Sequence, residues 1–106
     1  MGNAGKLIVE HIPKAFRFIV KSNGAQAVLD YRVLPNNIIE IFHTEVPPEY
    51  RGRGIAKQLC DSAFKYAADN YLKVYPSCSY AEKYAKETSN QAFKNLVVQN
   101  PKIVGS

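Results

Sequence analysis

The segment 50–57, with the sequence YRGRGIAK, places two arginines and two glycines in alternation. A stretch rich in strand-forming residues precedes it, and an apolar pattern of helical period follows it. The first turn of a helix leaves backbone N–H groups without intrahelical partners and carries a partial positive charge. Glycine also lets the backbone approach a ligand closely, because it has no Cβ atom. The segment therefore predicts a phosphate-binding loop that uses main-chain donors.

Two kinds of group in this loop are expected to contact phosphate. The backbone N–H groups from Arg53 to Lys57 would surround it, and the side chains of Arg51 and Arg53 would add charge-assisted hydrogen bonds. A solvated loop that binds nothing is the alternative, since short glycine motifs also occur by chance. The predicted binding residues are Arg51, Gly52, Arg53, Gly54, Ile55, Ala56 and Lys57.

Two other phosphate-binding motifs do not fit the segment. A Walker A loop requires serine or threonine directly after its Gly-Lys pair, whereas Ala56, Lys57 and Gln58 stand in that place. A dinucleotide-binding fingerprint requires a small residue where Lys57 stands, within a parallel βαβ unit that the pattern of elements does not indicate.

Residues that could transfer protons lie on either side of the loop. His43 and Glu45 lie where a predicted strand ends, and either an imidazole or a carboxylate can act as a general base. A packed histidine beside a solvated glutamate is the structural alternative. Cys78 lies between a predicted strand and a predicted helix, where a helix N-terminus favours the thiolate form. Cys60 falls among apolar helix positions and is expected to be buried by packing.

The composition is that of one globular domain, assigned to 1–106 with an ordered core of about 6–98. Of the 106 residues, 46% are hydrophobic and 22% charged, and no apolar run approaches the length of a membrane span. The N-terminus lacks the apolar core of a signal peptide, and two cysteines are too few for a disulfide framework or a metal site. We therefore expect a cytoplasmic or nuclear protein without a metal. The net charge of +5 favours an anionic partner, either nucleic acid or a coenzyme that carries phosphates.

The pattern of elements predicts an α+β domain. Strands are predicted at 7–10, 15–21, 25–33 and 38–43, with a hairpin turn at Asn23 and Gly24. The hydrophobic period then changes to that of a helix over 54–69, which Asn70 is expected to end. A strand at 71–75 and a helix at 80–86 follow, whereas 91–99 is undecided.

Arg51, Gly54 and Ala56 fit the pattern Gln/Arg-x-x-Gly-x-Gly/Ala, which is typical of coenzyme A binding in GNAT-type (Gcn5-related) N-acetyltransferases. In this motif and in the order of its elements the chain resembles that family over nearly its whole length, especially the small YjdJ/NATD1-like branch. Larger members insert two helices after the first strand, whereas this sequence leaves room only for a turn between 10 and 15. The resemblance implies a trimmed GNAT-like fold that lacks the first helix pair and has an open acceptor side.

The resemblance also implies an acetyl-CoA-dependent acetyltransferase that acts on an amine of unknown identity, small or borne by a protein. The backbone at Glu45 and Val46 would bind pantetheine, and an N–H group there would polarise the thioester carbonyl. Cys78 would lie near the thioester, and Tyr80 or Tyr84 would be the acid that protonates the departing thiolate.

Two other functions stay open. One is a coenzyme A binding module without efficient catalysis, which the missing helix pair favours. The other is a basic nucleic-acid-binding domain, although the sequence lacks the interleaved aromatic and basic residues of an RNA-binding motif. No membrane partner is expected.

Overall fold

A five-stranded sheet organises the chain in the computed structural model, which describes residues 7–22 and 24–101. Its strands are β1 (Glu10–Ile12), β2 (Arg17–Ser22), β3 (Ala25–Leu34), β4 (Ile38–Glu45) and β5 (Lys73–Pro76). Its α-helices are α1 (Ile55–Asp69), α2 (Ser79–Glu87) and α3 (Gln91–Lys94). Two single-turn 3-10 helices, Pro13–Ala15 and Pro48–Tyr50, precede β2 and the predicted phosphate loop.

The strands lie in the sheet in the same order as in the chain. The first four are antiparallel, and β5 joins β4 in parallel after the chain has passed through α1. Ser22 pairs with Ala25, which confirms the predicted hairpin, and Gly24 has a φ of +83° there. Asn23, the other residue of that predicted turn, lies outside the described residues. The α+β class, and the single turn in place of a helix pair between β1 and β2, are confirmed.

Three predicted strands begin earlier than the observed ones. The strand predicted at 15–21 begins only at Arg17, because Pro13–Ala15 form a 3-10 helix and Phe16 has a φ of +55°. The prediction for 7–10 is wrong because β1 begins where β2 supplies a partner strand and ends before Pro13, which has no N–H to donate. The strand predicted at 71–75 is confirmed over 73–75, but its first two residues are wrong because Tyr71 and Leu72 end α1 instead. Tyr71 has a φ of +59°, and the N–H of Leu72 donates to the carbonyl oxygen of Ala67 across 2.9 Å.

The predicted helices are confirmed. Gly54 is the N-cap of α1 and Asn70 its C-cap, while α2 is one residue longer at each end than the prediction of 80–86. The undecided segment 91–99 contains α3 and Val97, which forms a single bridge with Val74 of β5. None of the described helices combines the length and the apolar character that crossing a membrane would require. The assignment of 1–106 to one domain stays a prediction, and residue 6, where its core was expected to begin, lies outside the described residues.

All three helices pack on one face of the sheet, which we call the helix face. Phe64 of α1 contacts Tyr84 of α2 and Phe93 of α3, with ring centroids 5.0 and 5.7 Å apart. Cys60 is completely buried in the same cluster, which confirms its packing role, and this burial raises the pKa of its thiol. The strands contribute Phe18, Val20, Ala27, Leu29, Tyr31, Ile39, Ile41 and Val74 to this core.

A histidine that the sequence did not single out joins the core at the β1 edge. The ring of His11 stacks on Phe18 with centroids 4.1 Å apart and contacts the ring of Tyr66 edge-on at 4.4 Å. Its Nε2 atom lies 2.7 Å from the hydroxyl oxygen of Tyr31. Burial lowers the pKa of His11 and, as the largest cause, raises that of Tyr31 to about 12.

A β-bulge divides β4 into two parts. Tyr31 of β3 pairs with Ile41, but its neighbour Asp30 pairs with His43, so that Phe42 is an extra residue. Cross-strand partners project to the same face of a sheet. Tyr31 and Ile41 belong to the helix face, whereas Asp30 and His43 project to the opposite face, which we call the second face.

Candidate functional site

The predicted phosphate loop is an exposed turn between the 3-10 helix Pro48–Tyr50 and α1. Gly52 and Gly54 have φ values of +80° and +71°, which residues with a side chain rarely adopt. A Cβ atom added to either glycine would point into open space with no atom within 4 Å. The two glycines therefore shape the loop and leave the space in front of it free.

Consecutive backbone donors line this turn. Among the described residues, the N–H groups from Gly52 to Lys57 find no acceptor within hydrogen-bonding geometry, and the helical ladder begins with Gln58 donating to Gly54 across 3.0 Å. Such groups are satisfied by water or by a ligand. The side chain of Ile55 is buried in the core, so that this residue offers only its N–H group. The loop thus has the main-chain donors that its sequence predicts.

A pocket of about 180 Å³ lies in front of the loop. It includes most of the predicted coenzyme-binding residues, although Glu45 and Arg53 are not among its lining residues. The pocket also includes Tyr80 from α2, which was predicted as a catalytic residue. Its lining residues are Val46, Tyr50, Arg51, Gly52, Gly54, Ile55, Ala56, Lys57 and Tyr80.

Tyr50 fixes the start of the loop and was missed by the sequence analysis. Its ring is buried in the core, and its hydroxyl group donates to the carbonyl oxygen of Ala25 across 3.1 Å. The guanidinium carbon of Arg53 lies 5.8 Å from the centroid of the same ring. The sequence signal that could have identified Tyr50 is its position directly before the glycine-rich turn.

A second pocket continues from the first along the groove between α1 and α2. It has a volume of about 300 Å³ and shares Lys57 and Tyr80 with the first pocket. Asp61 of α1 lies beside it, where one oxygen accepts a hydrogen bond from Lys57 across 3.0 Å and the other accepts one from Tyr84. Asp61 therefore links the phosphate loop to α2. The sequence alone could not predict this link, because Asp61 and Tyr84 are brought together only by folding.

The strands β4 and β5 separate beside the loop. Their pairing ends at Ile41 and Pro76, whereas β4 continues to Glu45. The N–H groups of Ser77 and Cys78 both donate to the carbonyl oxygen of Ile41, at 3.1 and 3.2 Å, and close the end of the ladder. A gap therefore opens next to the bulge, with β4 on one side and the start of α2 on the other.

Cys78 and Tyr80 lie on the α2 side of this gap. Cys78 is the N-cap of α2, and its Sγ atom accepts a hydrogen bond from the N–H of Ala81 across 3.4 Å. Its predicted place between a strand and a helix is confirmed, whereas its chemical role stays a prediction. Burial raises the pKa of Tyr80, and the charges of Asp61 and Glu87 add to this shift. The Tyr80 phenol is therefore held in its protonated form.

The strand β4 is two residues longer than predicted, so that Glu45 rather than His43 is its last residue. Both project to the second face, and the His43 Nε2 atom lies 3.6 Å from a carboxylate oxygen of Glu45. Their side chains are exposed. The site residues thus form two groups, with the loop, Cys78 and Tyr80 in one and the His43–Glu45 pair across the sheet in the other.

The comparisons with known proteins agree with this geometry. Residues 16–96 match the family model described as GCN5-related N-acetyl-transferase. The chain belongs to this family. The matched span runs from the start of β2 to the end of α3 and therefore contains the bulge, the phosphate loop and the gap.

Curated relatives share about two fifths of their aligned residues with this chain. The chain is 44% identical over 81 residues to Protein NATD1 of Gallus gallus, with 74% of each chain covered. It is 43% identical over 81 residues to Protein NATD1 of Homo sapiens, covering 74% of this chain and 72% of the human protein. These relatives confirm the resemblance to the NATD1-like branch.

A solved structure shares the fold. The solution structure of a GCN5-like candidate N-acetyltransferase from Staphylococcus aureus superposes with a TM-score of 0.70 and 25% sequence identity. The match covers 95% of this chain and 97% of that one. The trimmed fold of this GCN5-related domain is therefore shared with a protein of similar length.

Proposed function

We propose that this protein is an acetyltransferase that uses acetyl-CoA and transfers the acetyl group to an amine. The observation that carries the proposal is the row of N–H groups from Gly52 to Lys57, which pair with none of the described residues. These groups lie at the N-terminus of α1 and next to the gap between β4 and β5. Membership of the GCN5-related family supports the same function.

The residues present fit a coenzyme with phosphate groups. A Cβ atom at Gly52 or Gly54 would meet no atom within 4 Å, so the space beside both glycines is open to a ligand. Arg51 and Arg53 are exposed cations at the same turn, and the dipole of α1 favours negative charge there. Lys57 adds a third cation, part of whose charge Asp61 balances.

The gap would take the pantetheine arm. Beyond Ile41 the backbone of β4 no longer pairs with β5, so its polar groups on that side are available to a ligand as far as Val46. Glu45 and Val46 would bind the arm through main chain, and an N–H group there would polarise the thioester carbonyl. Acetyl-CoA would supply a thioester, so that the amine nitrogen bonds to the acetyl carbon as the carbon–sulfur bond breaks and a proton passes to the departing thiolate.

Proton transfer would then involve both sides of the gap. His43 or Glu45 would accept the amine proton on the second face, directly or through water. Tyr80 would donate a proton near the departing thiolate, since a tyrosine phenol is protonated at neutral pH. Cys78 would line the same space from the N-terminus of α2.

A coenzyme A binding module without efficient catalysis is the second candidate. The exposure of His43 and Glu45 favours it, because an exposed pair holds an acceptor less firmly than an enclosed one.

Two measurements test the proposal. Calorimetry with coenzyme A should give saturable binding, and mass spectrometry should detect an acetylated amine after incubation with acetyl-CoA. Binding without transfer would select the binding module. The absence of coenzyme binding, with retention of nucleic acid instead, would overturn both candidates in favour of the basic nucleic-acid-binding domain.

A further inference from the structure

A hollow of about 510 Å³ lies at the start of β2, where β3 continues past Arg17. The floor and rim include apolar side chains: Phe42 is the bulge residue of β4, and Phe16 and Val33 are among the few large hydrophobic side chains that are exposed. Arg17 and Arg32 lie beside them. Neither the phosphate loop nor the groove between α1 and α2 shares a lining residue with this hollow.

The hollow borders the candidate base. Asp30 lines it and is the direct cross-strand partner of His43, so that their Cβ atoms are roughly 4.5–5.5 Å apart. Phe42 lines it as well and is the residue that directly precedes His43. Because Phe42 also begins the part of β4 that β5 does not pair with, the hollow and the gap meet at this one residue. An acceptor whose amine reaches His43 would therefore cover the hollow with the rest of its structure.

Two ion pairs lie at the hollow, and in each the arginine is more exposed to solvent than the carboxylate. Arg17 donates to Asp30 through Nε and Nη2, at 2.6 and 3.3 Å, and their side chains are 38% and 15% exposed. Arg32 pairs with Glu40 at 3.3 Å, and their exposed fractions are 56% and 16%. In both pairs the carboxylate is shielded and the guanidinium faces solvent.

Each arginine keeps donors that its carboxylate does not use. A guanidinium has five N–H donors in a fixed plane, and each of these ion pairs occupies only some of them. The guanidinium carbon of Arg32 lies 3.8 Å from the centroid of the Phe42 ring, which holds the plane of charge against an apolar surface. An aromatic surface beside free guanidinium donors suits a molecule with an apolar chain that ends in a carboxylate.

We propose, on the basis of the acetyltransferase function above, that Arg17 and Arg32 make this protein selective for amines that also carry a carboxylate, which binds in the hollow while the amine lies at His43. Arg17, Asp30 and His43 form one row across β2, β3 and β4, so Arg17 and His43 are two strand spacings apart, roughly 9–10 Å. This is farther than the amine and carboxylate of an α-amino acid can reach. The acceptor is therefore an ω-amino acid or a lysine residue with an acidic neighbour. Both acceptors present an amine and a carboxylate at a similar separation.

Matched acceptors test this selectivity. With acetyl-CoA held at saturation, ε-aminocaproate should be acetylated with a kcat/KM roughly five- to tenfold above that of hexylamine, which has the same chain without the carboxylate. A peptide with a lysine between glutamates, compared with one between glutamines, separates the second source from the first. If only the glutamate peptide is acetylated faster than its glutamine counterpart, the acceptor is a protein. If only ε-aminocaproate is acetylated faster than hexylamine, the acceptor is a free ω-amino acid.

Three variants locate the effect. Arg32→Gln should reduce the preference to less than about twofold while kcat/KM for hexylamine stays nearly unchanged. Arg17→Lys keeps a charge beside Asp30 but loses the planar fork, and it should reduce the preference partly. Lys65→Gln, which removes an exposed charge from α1, is the matched control and should leave the preference as it is.

A binding measurement separates this proposal from the acetyltransferase function. In amide NMR spectra, ε-aminocaproate should shift the signals of Arg17, Arg32 and Phe42 more than hexylamine does, whether or not transfer occurs. Transfer to both amines at equal rates, without these shifts, would overturn the selectivity and leave the acetyltransferase intact. The shifts without any transfer would support the hollow as a carboxylate site in a protein that is not an acetyltransferase. If neither transfer nor shifts occur, both proposals are overturned.

Discussion

The hydroxyl group of Tyr50 donates a hydrogen bond of 3.1 Å to the carbonyl oxygen of Ala25. Tyr50 ends the 3-10 helix before the phosphate loop, and Ala25 is the first residue of β3. The loop is thus attached to the β2–β3 hairpin, and β4 lies between this attachment point in β3 and the gap. Its position relative to the sheet is set by a buried side chain rather than by the loop itself.

Tyr50→Phe should lower the free energy of unfolding by about 0.5–1.5 kcal/mol, the usual net contribution of a hydrogen bond. It should also weaken coenzyme A binding, because the loop loses its attachment while its own residues are unchanged. Urea unfolding and calorimetry would measure the two effects. Tyr71→Phe is the control, since Tyr71 is almost fully exposed and its hydroxyl loss should affect neither quantity.

Gly54→Asp should abolish measurable coenzyme A binding. The substitution places a Cβ atom and a negative charge in front of the N–H groups, at a φ of +71°. Gly24→Asp, at a φ of +83° in the hairpin, carries a similar backbone cost but places no charge in the pocket in front of the loop. Calorimetry on both should show lost binding for Gly54→Asp alone. Equal affinities for Gly54→Asp and the parent protein would show that the loop is not the phosphate site.

Arg53→Ala should weaken coenzyme A binding by about 1.5–3 kcal/mol if its guanidinium donates to a phosphate group. The loss should shrink as salt is added, because this charge is exposed. Calorimetry at two ionic strengths would measure it. A loss that is independent of salt would instead indicate that Arg53 acts by packing on Tyr50.

Cys78 should be protected from a small alkylating reagent by acetyl-CoA, because it lies beside the gap. Cys60 should stay unreactive with or without ligand, since it is completely buried. Mass spectrometry of alkylated peptides would distinguish the two thiols. Equal alkylation of Cys78 in both conditions would remove it from the site.

The substitution Cys78→Ser tests whether the thiol takes part in acetyl transfer or only lines the gap. Serine is a good N-cap, so α2 should remain as stable as in the parent protein. Loss of acetyl transfer with retained coenzyme binding would show a chemical role for the thiol, whereas unchanged transfer would show that it only lines the gap.

The stability of the protein should fall in mild acid partly because of His11. Burial lowers its pKa below the ordinary value of 6.5, so the unfolded chain binds more protons than the folded one as pH falls below 6.5. The contribution is fully present above pH 6.5 and is lost as the pH falls through the lowered value. Urea unfolding at several pH values should show a weaker acid dependence for His11→Gln than for the parent, and an unchanged dependence would contradict the assignment.

Local sequence signals were sufficient for α1, α2 and the hairpin, but not for α3, whose segment was undecided. The apolar period located α1, and Gly54 and Asn70 marked its ends correctly. Tyr71 was assigned to a strand because tyrosine favours strands, but the end of α1 determines its backbone instead. Single-residue propensities are weak wherever a neighbouring element competes for the same residues.

The candidate site was predictable only in part, because some of its features depend on pairing between strands. The alternation of residues in β4 gives no sign that Phe42 is extra, since the bulge exists only relative to the register of β3. The link from Tyr50 to Ala25 and that from Asp61 to Tyr84 join distant parts of the chain. The phosphate loop was predictable because its donors are consecutive in sequence.

The parallel pairing of β4 with β5 has a consequence for the order of assembly. The other neighbouring strands are joined by short turns, so their contacts are local, whereas Ile38 and Lys73 meet only after the whole of α1 has been placed. Contacts between residues far apart in sequence carry the largest loop-closure entropy and tend to form late. The edge at β5 is therefore expected to close last during folding and to exchange its amide hydrogens soonest in the native protein. A ligand held in the gap would therefore connect β5, which joins the sheet last, to β4, which belongs to the antiparallel strands that form first.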